Sequence, residues 1–317
     1  MAPAQYSAGV IDLHTHSSYS DGSDPPAQLA QKALDAGLSA IALTDHDTTA
    51  SYEEMASACA GRGIELVSGV EVSVRENEFP LSREGHDEPR NVHLLGYFVP
   101  LDPAHPLQAK LAELREDRET RNVALVEILQ ARGFERVTFE FLTTLAGSRD
   151  SIGRPHFARA MFELHPEIVG ERNATSWNRV FNDWLGTGGR AYIPKTSIPL
   201  EEFVDAGRGS GVVFSIAHPL VNYVDYPSTS TIEQTMPRVM ASLRARGVAG
   251  IEAYYGSSPR ATRELMVKLT RDAGMIPTGG SDYHGSYKTD IALGLGLTGD
   301  LRVPDEVLDE LKAARSA

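Results

Sequence analysis

The segment at residues 11–22, IDLHTHSSYSDG, places two histidines two positions apart at the end of an apolar run. In a strand, Asp12, His14 and His16 project from the same face, because successive side chains alternate. The serine- and glycine-rich turn that follows contains Asp21 and can return a carboxylate to the strand end. The segment therefore predicts half of a metal site, although both histidines could equally be polar residues that end a strand.

The same arrangement recurs along the chain, because later apolar runs also carry or lead to a histidine or a carboxylate. Each such run is typical of a buried strand. Several strands that share this placement favour one common site over coincidence. The further potential ligands are His46, Glu71, His93, His218, Asp282 and His284.

Short apolar runs alternate with helical patterns over most of the chain, which is typical of an α/β protein with a parallel sheet. About seven strands with ligands at their carboxyl ends predict an irregular (β/α)7 barrel, whose active site lies at that end. The polar stretch 77–90 is expected to be a loop. Residues 103–199 have a helical pattern, so we expect a barrel domain at 10–102 and 200–317 and an inserted helical cap subdomain at 103–199.

The charge distribution separates the insert from the rest of the chain. The net charge of −13 argues against stable binding of duplex nucleic acid through its phosphates. Residues 103–200 carry 13 Lys and Arg against 12 Asp and Glu, so the excess acid lies elsewhere. A nearly neutral insert that contains arginines would suit an anionic substrate, but residues such as Arg115 and Arg132 could be solvated helix residues.

The chain has no apolar run long enough to cross a bilayer, and residues 1–9 lack the basic and apolar regions of a signal peptide. We therefore expect a cytoplasmic protein that does not bind membranes. Cys59 is the single cysteine, which excludes a thiolate metal cluster within the chain.

In order and spacing, the motifs DLHTHSSYSDG, TDHDT, GVE, VHLLGY, AHP and GSDYH resemble the PHP (polymerase and histidinol phosphatase) superfamily of metal-dependent phosphoesterases. The resemblance implies a barrel of the PHP type. The helical insert and the segment 153–159, GRPHFAR, resemble bacterial members that act as 3′,5′-nucleoside bisphosphate phosphatases and as 5′–3′ exonucleases on short RNA. It thus implies a small phosphorylated nucleotide or short RNA as the partner.

The resemblance also implies three divalent metal ions. Our hypothesis is that a hydroxide bridging the first two ions attacks phosphorus. Imidazole and carboxylate donors without thiolate suit Mn²⁺, Fe²⁺ or Zn²⁺. The implied ligands are His14, His16, Glu71 and Asp282 for the first ion, Glu71, His93 and His218 for the second, and Asp21, His46 and His284 for the third.

Three residues are candidates for direct roles in catalysis. Arg154 is expected to bind phosphate, because a guanidinium matches phosphate geometry. His156 could contact the phosphate or protonate the leaving alkoxide, and Asp47 could relay protons or orient His46. The structural alternatives are an ion pair at a helix start for Arg154 and a capping role for Asp47.

Four further residues of the insert have weaker signals. Tyr192 and Lys195 could reach a nucleotide or a phosphate, although a role in the backbone turn is equally compatible with their position. Trp177 and Trp184 lie about two helical turns apart and are expected to pack the insert.

The leading hypothesis is an enzyme that converts a 3′,5′-nucleoside bisphosphate to a nucleoside 5′-phosphate, with 5′–3′ trimming of short RNA as a further activity. One alternative is a histidinol-phosphate phosphatase, whose members usually have a histidine at the position of Asp21 and lack such an insert. Another is a noncatalytic metal-binding PHP module. That alternative predicts missing ligands, and none is missing in this sequence.

Overall fold

The computed structural model describes residues 10–83, 86–195 and 197–315, so the leader at residues 1–9 lies outside the described residues. Within these ranges, one sheet has the strand order β8-β7-β6-β4-β3-β2-β1-β9, and β5 pairs with β3. The strands are β1 (Val10–Thr15), β2 (Leu38–Leu43), β3 (Glu65–Arg83), β4 (His86–Tyr97), β5 (Ile198–Pro199), β6 (Val213–Ile216), β7 (Gly250–Tyr255), β8 (Ile276–Gly280) and β9 (Val303–Pro304).

The sheet curls until its two ends nearly meet. Thr15, at the end of β1, bridges to Tyr283, which follows β8. Gly280 permits this approach, because a Cβ at that position would lie 2.4 Å from the amide nitrogen of His14. Apart from β5 and β9, which have two residues each, seven strands form the barrel wall. The expected α/β fold with an irregular seven-stranded barrel is confirmed.

Strand β4 departs from the expected parallel sheet. It runs antiparallel to both β3 and β6, because a direct hairpin joins β3 to β4 without a helical crossover. This direction brings His93, in the middle of β4, beside Ser73 of β3 and close to the ends of the neighbouring parallel strands.

The expected loop at residues 77–90 is wrong. Strand β3 continues to Arg83 and β4 begins at His86, so most of this polar stretch pairs as a long hairpin. The polar residue Glu76 is fully buried at its base, where its Oε2 lies 2.8 Å from Nη2 of Arg246. A buried carboxylate is tolerated in a strand when a cation pairs with it. The polar sequence alone did not reveal this partner, so it favoured a loop.

Helices surround the barrel and also form the insert between β4 and β5. The insert contains α3 to α7 and a π-helical turn at Phe181–Leu185. The helices are α1 (Pro26–Asp35), α2 (Tyr52–Cys59), α3 (Pro106–Gln130), α4 (Phe139–Ala146), α5 (Arg154–Leu164), α6 (Pro166–Val169), α7 (Ala174–Val180), α8 (Leu200–Ala206), α9 (Pro219–Tyr223), α10 (Thr229–Ala245), α11 (Arg260–Asp272) and α12 (Glu306–Arg315).

Helix α3 joins two hydrophobic cores. Leu107 and Leu114 pack with the barrel, whereas Leu125 and Leu129 pack into a separate core of the helical insert. Between these contacts, the polar residue Arg118 is buried. The insert, called the cap below, thus has its own core. Its assignment as a subdomain with limits at 103 and 199 stays a prediction.

The helices in the described part of the chain offer no segment long and apolar enough to span a membrane.

Candidate metal centre

Glu71 of β3 lies at the centre of a cluster of histidines at one end of the barrel. Its side chain is almost fully buried. The Oε2 atom of Glu71 lies 3.3 Å from His14 Nε2, 3.1 Å from His16 Nε2 and 3.4 Å from His46 Nδ1. These imidazoles come from the end of β1 and from the loop after β2, so Glu71 connects neighbouring parts of the barrel rim.

The second oxygen of Glu71 faces two more histidines. Its Oε1 atom lies 2.8 Å from His93 Nδ1 and 3.1 Å from His218 Nε2. His93 belongs to the antiparallel β4, and His218 follows β6 directly. A carboxylate between two groups of imidazoles has the arrangement expected of a ligand that bridges metal ions.

Asp282, just after β8, faces the first two histidines. Its Oδ1 atom lies 3.6 Å from Nε2 of both His14 and His16. Its Oδ2 atom accepts hydrogen bonds from Lys288 Nζ at 2.7 Å and from the Tyr255 hydroxyl at 3.2 Å. The carboxylate is therefore oriented, with one oxygen directed to the histidines and the other held by donors.

Asp21 collects a third set of imidazoles. Its Oδ1 atom lies 3.3 Å from His284 Nε2 and 3.7 Å from His16 Nδ1, and its Oδ2 atom lies 3.7 Å from His46 Nε2. Asp21, His46 and His284 are the three side chains that the sequence assigned to the third ion. His16 is close enough to belong to this set as well.

The loop after β1 folds back because Asp45 binds it. The Asp45 carboxylate accepts hydrogen bonds from the amide and hydroxyl of Ser17, at 2.8 and 2.7 Å, and from the hydroxyl of Ser20 at 2.6 Å. Gly22 is required at the end of the turn, since a Cβ there would lie 2.3 Å from the carbonyl oxygen of His16. The serine-rich turn thereby returns Asp21 to the cluster.

Burial and charge set the protonation of the cluster. Burial opposes ionisation of Glu71, but His93, His46 and His14 outweigh it and hold the pKa of Glu71 well below its usual range. Burial lowers the pKa of His93 to about 4 and the pKa of His46 well below its ordinary value. Against burial, neighbouring carboxylates raise the pKa values of His14 and His16. A bound metal ion would displace such protons, because charged carboxylates and neutral imidazoles are the forms that donate lone pairs to it.

The cluster fits divalent metal ions. Within the part of the chain that the structure describes, the buried atoms His14 Nε2, His16 Nε2, Asp21 Oδ1 and His218 Nδ1 have no hydrogen-bond partner. Such atoms are costly unless a ligand satisfies them. The cluster contains three groups of residues, and within each group the ligand atoms lie within 4.8 Å of one another. The groups are His16, Asp21, His46 and His284; His14, His16 and Asp282; and His46, Glu71 and His93.

All nine side chains predicted as ligands thus lie at one end of the barrel. Their division among three ions stays a proposal, because His16 and His46 are each within reach of two groups. Mixed imidazole and carboxylate donors suit Zn²⁺, Mn²⁺ or Fe²⁺ and do not distinguish among them.

A cavity of about 570 Å³ lies between this cluster and the cap, a size typical of small-molecule sites. Glu71, His93 and Asp282 line it on the barrel side. The cap supplies most of the positive charge, from Arg118, Arg121, Arg154 and Lys195.

Two of these cations are neutralised within the protein and two are not. Arg118 pairs with Asp47, and Arg121 Nη1 lies 3.3 Å from Asp117 Oδ2. Within the described ranges, Arg154 and Lys195 have no carboxylate at ion-pair distance. Lys195 Nζ instead donates a hydrogen bond to Ser73 Oγ at 2.6 Å.

The environment of the two unpaired cations is unfavourable for positive charge. Burial, together with the charges of Arg154 and Arg121, lowers the pKa of Lys195 to about 7. Burial also lowers the pKa of Arg154, although a guanidinium stays charged. The cavity therefore contains positive charge that an anion can compensate.

The other predicted site residues differ in their surroundings. Asp47 lines the cavity, and its Oδ1 atom is buried without a hydrogen-bond partner among the described residues. His156 is buried at the start of α5, where its Nδ1 atom accepts a hydrogen bond from the amide of Gly153 at 3.1 Å. His156 and Tyr192 are not among the residues that line the cavity, although Tyr192 lies near Arg154.

Both tryptophans pack within the cap. Trp184 contacts Phe134 with 4.8 Å between ring centroids, and Trp177 stacks on Phe162 at 6.0 Å. Trp177 also lines the cavity.

Sequence reasoning missed three residues near the cluster. Arg118 had a usable signal, because it lies on the same face of α3 as Leu111 and Leu114, where a leucine would be expected. Lys288 lies in the segment after β8 and has no local signal. Glu252 is a single acidic residue in the apolar strand β7, and its contact with His14 is 238 residues distant in sequence.

Comparisons with known proteins identify the family of this chain. A family model described as the PHP domain matches residues 12–163. The 3′,5′-nucleoside bisphosphate phosphatase of Chromobacterium violaceum is 31% identical over 275 residues, which cover 86% of this chain and 87% of that protein. The 5′-3′ exoribonuclease of Haemophilus influenzae is 26% identical over 274 residues, which cover 86% of this chain and 89% of that protein.

The fold has a close counterpart as well. A Bifidobacterium adolescentis protein, assigned as a metal-dependent phosphoesterase, superposes with a TM-score of 0.74 and 27% identity over 97% of this chain and 96% of that one. The resemblance seen in the motifs is thereby confirmed over nearly the whole length. The chain belongs to the PHP family and is a metal-dependent phosphoesterase, a hydrolase that acts on phosphoester bonds.

Proposed function

We propose that this enzyme removes the 3′-phosphate from a nucleoside 3′,5′-bisphosphate and releases the nucleoside 5′-phosphate. The observation that carries this proposal is the unpaired positive charge of Arg154 and Lys195, in the same cavity as the candidate metal ligands. A substrate with one phosphate at the metal ligands and a second phosphate at the cap would compensate both charges.

The nine candidate ligands would hold divalent ions, which neutralise phosphoryl oxygens and lower the pKa of a bound water. In the proposed reaction, Arg154 binds a phosphate through its guanidinium, and Lys195 adds a point charge beside it. Asp47 is the proposed proton carrier, since it lines the cavity and its buried Oδ1 has no hydrogen-bond partner among the described residues. His156 is given no part in this reaction, because it does not line the cavity and its Nδ1 accepts the Gly153 amide.

The charge of the cap also bears on the alternative substrate. Histidinol phosphate carries one phosphate and an ammonium group. An ammonium group beside Arg154 and Lys195 would be repelled, and like charges in a partly desolvated cavity disfavour binding. The sequence similarity to the Chromobacterium violaceum phosphatase also supports a nucleotide substrate.

The test is a substrate panel with added Mn²⁺. It contains adenosine 3′,5′-bisphosphate, 3′-AMP, 5′-AMP, a 5′-phosphorylated short RNA, histidinol phosphate and an aryl phosphate. We expect one phosphate to be released from the bisphosphate, with 5′-AMP as the product. Two charge-assisted contacts to the second phosphate, each of about 1.5–3 kcal/mol, should raise kcat/KM over that of 3′-AMP by at least about 100-fold.

Equal kcat/KM values for the bisphosphate and for 3′-AMP would overturn the proposal. Preferred turnover of histidinol phosphate would favour that alternative instead. Stepwise release of 5′-terminal nucleotides from the RNA would identify trimming of short RNA as a further activity.

A further inference from the structure

Glu252 is a buried acid beside the cluster that has no place in the proposed ligand set. It lies in β7, and its side chain is fully buried. One oxygen, Oε1, lies 2.8 Å from His14 Nδ1. The other, Oε2, accepts a hydrogen bond from the amide of His218 at 2.6 Å. A single carboxylate therefore contacts two candidate ligands that are far apart in sequence.

The contact with His14 determines which ring nitrogen is free. A carboxylate accepts hydrogen bonds, so Nδ1 of His14 carries a proton and Nε2 is the nitrogen that would bind a metal ion. This Nε2 atom is the one that faces Glu71 Oε2 at 3.3 Å and Asp282 Oδ1 at 3.6 Å. A carboxylate behind a histidine commonly fixes the orientation of a metal ligand in this way.

The contact with His218 holds an unusual backbone conformation. His218 has a φ of 30°, in the left-handed region that residues other than glycine rarely adopt. Such a conformation persists where the surroundings impose it. The hydrogen bond from the His218 amide to Glu252 is one such constraint, and it leaves the imidazole 3.1 Å from Glu71 Oε1.

We propose that Glu252 is a positioning residue that holds His14 and His218 in the orientations required for binding divalent metal ions. It does so without coordinating an ion itself. The two histidines lie on opposite oxygens of Glu71, so Glu252 acts on both sides of the candidate bridging carboxylate. The inference rests on the proposed metal ligands and does not depend on the identity of the substrate.

The experiment measures metal binding by the full-length protein and needs no substrate. Glu252→Gln keeps the shape of the side chain but cannot accept hydrogen bonds on both of its terminal atoms. We expect affinity for Zn²⁺ and Mn²⁺ to fall about 10- to 100-fold, as for other partners of metal-binding histidines. The visible absorption of bound Co²⁺ should also change, because it reports on the geometry around the ion.

The matched control is Glu76→Gln. Glu76 is equally buried, but its partners are Arg246 and Tyr223, away from the candidate ligands. This variant should lose thermal stability and keep the metal affinity and Co²⁺ spectrum of the unchanged protein. The comparison separates a positioning role from a general loss of stability.

Wild-type affinity and an unchanged Co²⁺ spectrum in Glu252→Gln would overturn the proposal. An equal loss of affinity in Glu76→Gln would overturn it too, since the effect would then be general. If Glu252→Gln does not fold, Glu252→Asp provides the same comparison. The shorter carboxylate cannot reach both His14 and His218, so it should also weaken metal binding.

Discussion

Arg118, near the middle of α3, donates a hydrogen bond to the carboxylate of Asp47, which directly follows His46 in the loop after β2. The backbone carbonyl of Asp47 also accepts a hydrogen bond from Arg115 at 2.8 Å. One helix of the cap is therefore bound to the barrel loop that carries a candidate ligand. Because this contact joins the cap to the metal centre, a structural change in one should alter the other.

Replacement of Arg118 by methionine should destabilise the protein. The Arg118–Asp47 pair is buried, and removal of one partner leaves the other charge unpaired. We expect the free energy of unfolding to fall by about 3 kcal/mol, measured by urea denaturation. The double variant Arg118→Met with Asp47→Asn should recover much of this loss.

The control for this variant is Arg149→Met, which removes an exposed pair with Glu119. Exposed pairs contribute at most about 1 kcal/mol. An Arg118→Met protein as stable as Arg149→Met would show that the buried pair does not hold the cap on the barrel.

Variants of the two unpaired cations should affect substrates with two phosphates most strongly. Arg154→Ala and Lys195→Met each remove one proposed contact with a phosphate. We expect each to raise KM for adenosine 3′,5′-bisphosphate by about 10- to 100-fold, because a hydrogen bond to a charged group contributes about 1.5–3 kcal/mol. Steady-state kinetics with 3′-AMP as the second substrate measure how much of the effect depends on the second phosphate.

Arg159→Ala is the control in the same helix, since Arg159 pairs with Glu163 and does not line the cavity. Its kinetics should match those of the wild type. An unchanged kcat/KM for the bisphosphate in Arg154→Ala would contradict the phosphate-binding role of Arg154.

The preference for the second phosphate should decrease as pH rises. Burial lowers the pKa of Lys195 from 10.5 to about 7, so the free enzyme loses this positive charge between about pH 6 and 8. The ratio of kcat/KM for the bisphosphate to that for 3′-AMP reports the free enzyme, and ionisation of the shared 3′-phosphate cancels in it. We expect this ratio to fall across that range. Ionisation of the 5′-phosphate would instead raise the ratio, because it adds negative charge to the substrate.

Lys195→Arg tests the assignment, because arginine stays charged over the whole range. The variant should lose the decrease in the ratio. The same decrease in the variant and in the wild type would show that another group titrates.

The ligand types were predictable from sequence because parallel strands of a barrel end at one rim. The repeated pattern of an apolar run followed by a histidine or carboxylate therefore indicated convergence without any knowledge of distances. His93 fits the rim only because β4 runs antiparallel, a direction that the sequence pattern did not predict.

The surroundings of the ligands were less predictable. Glu252 resembles an incidental acid in an apolar strand, and its role depends on contacts with residues distant in sequence. The hairpin at 77–90 depends likewise on Arg246, which supplies the partner for buried Glu76. Such contacts between distant residues have no periodic signal, so local patterns indicate the candidate ligands but not the residues that hold them.

Replacement of Glu71 by glutamine should abolish activity and weaken binding of the two ions that Glu71 is proposed to hold. The Glu71 carboxylate lies within 3.4 Å of five imidazoles, and an amide of the same shape lacks the charge that bridges metal ions. In the wild type, ion concentrations 100-fold above Kd should stabilise the fold by about 2.7 kcal/mol and raise Tm, and chelation should reverse both effects. In Glu71→Gln we expect a smaller rise in Tm with Mn²⁺ or Zn²⁺ than in the wild type, because the ligand set around Asp21 does not include Glu71. The loss of turnover should exceed the factor of about 100 that is typical of residues that only hold a metal ligand in place.

Glu76→Gln, on the same strand but paired with Arg246, should retain the full metal-dependent rise in Tm. A rise in Tm for Glu71→Gln equal to that of the wild type would contradict the bridging role, because metal binding would then depend on the remaining histidines and aspartates alone.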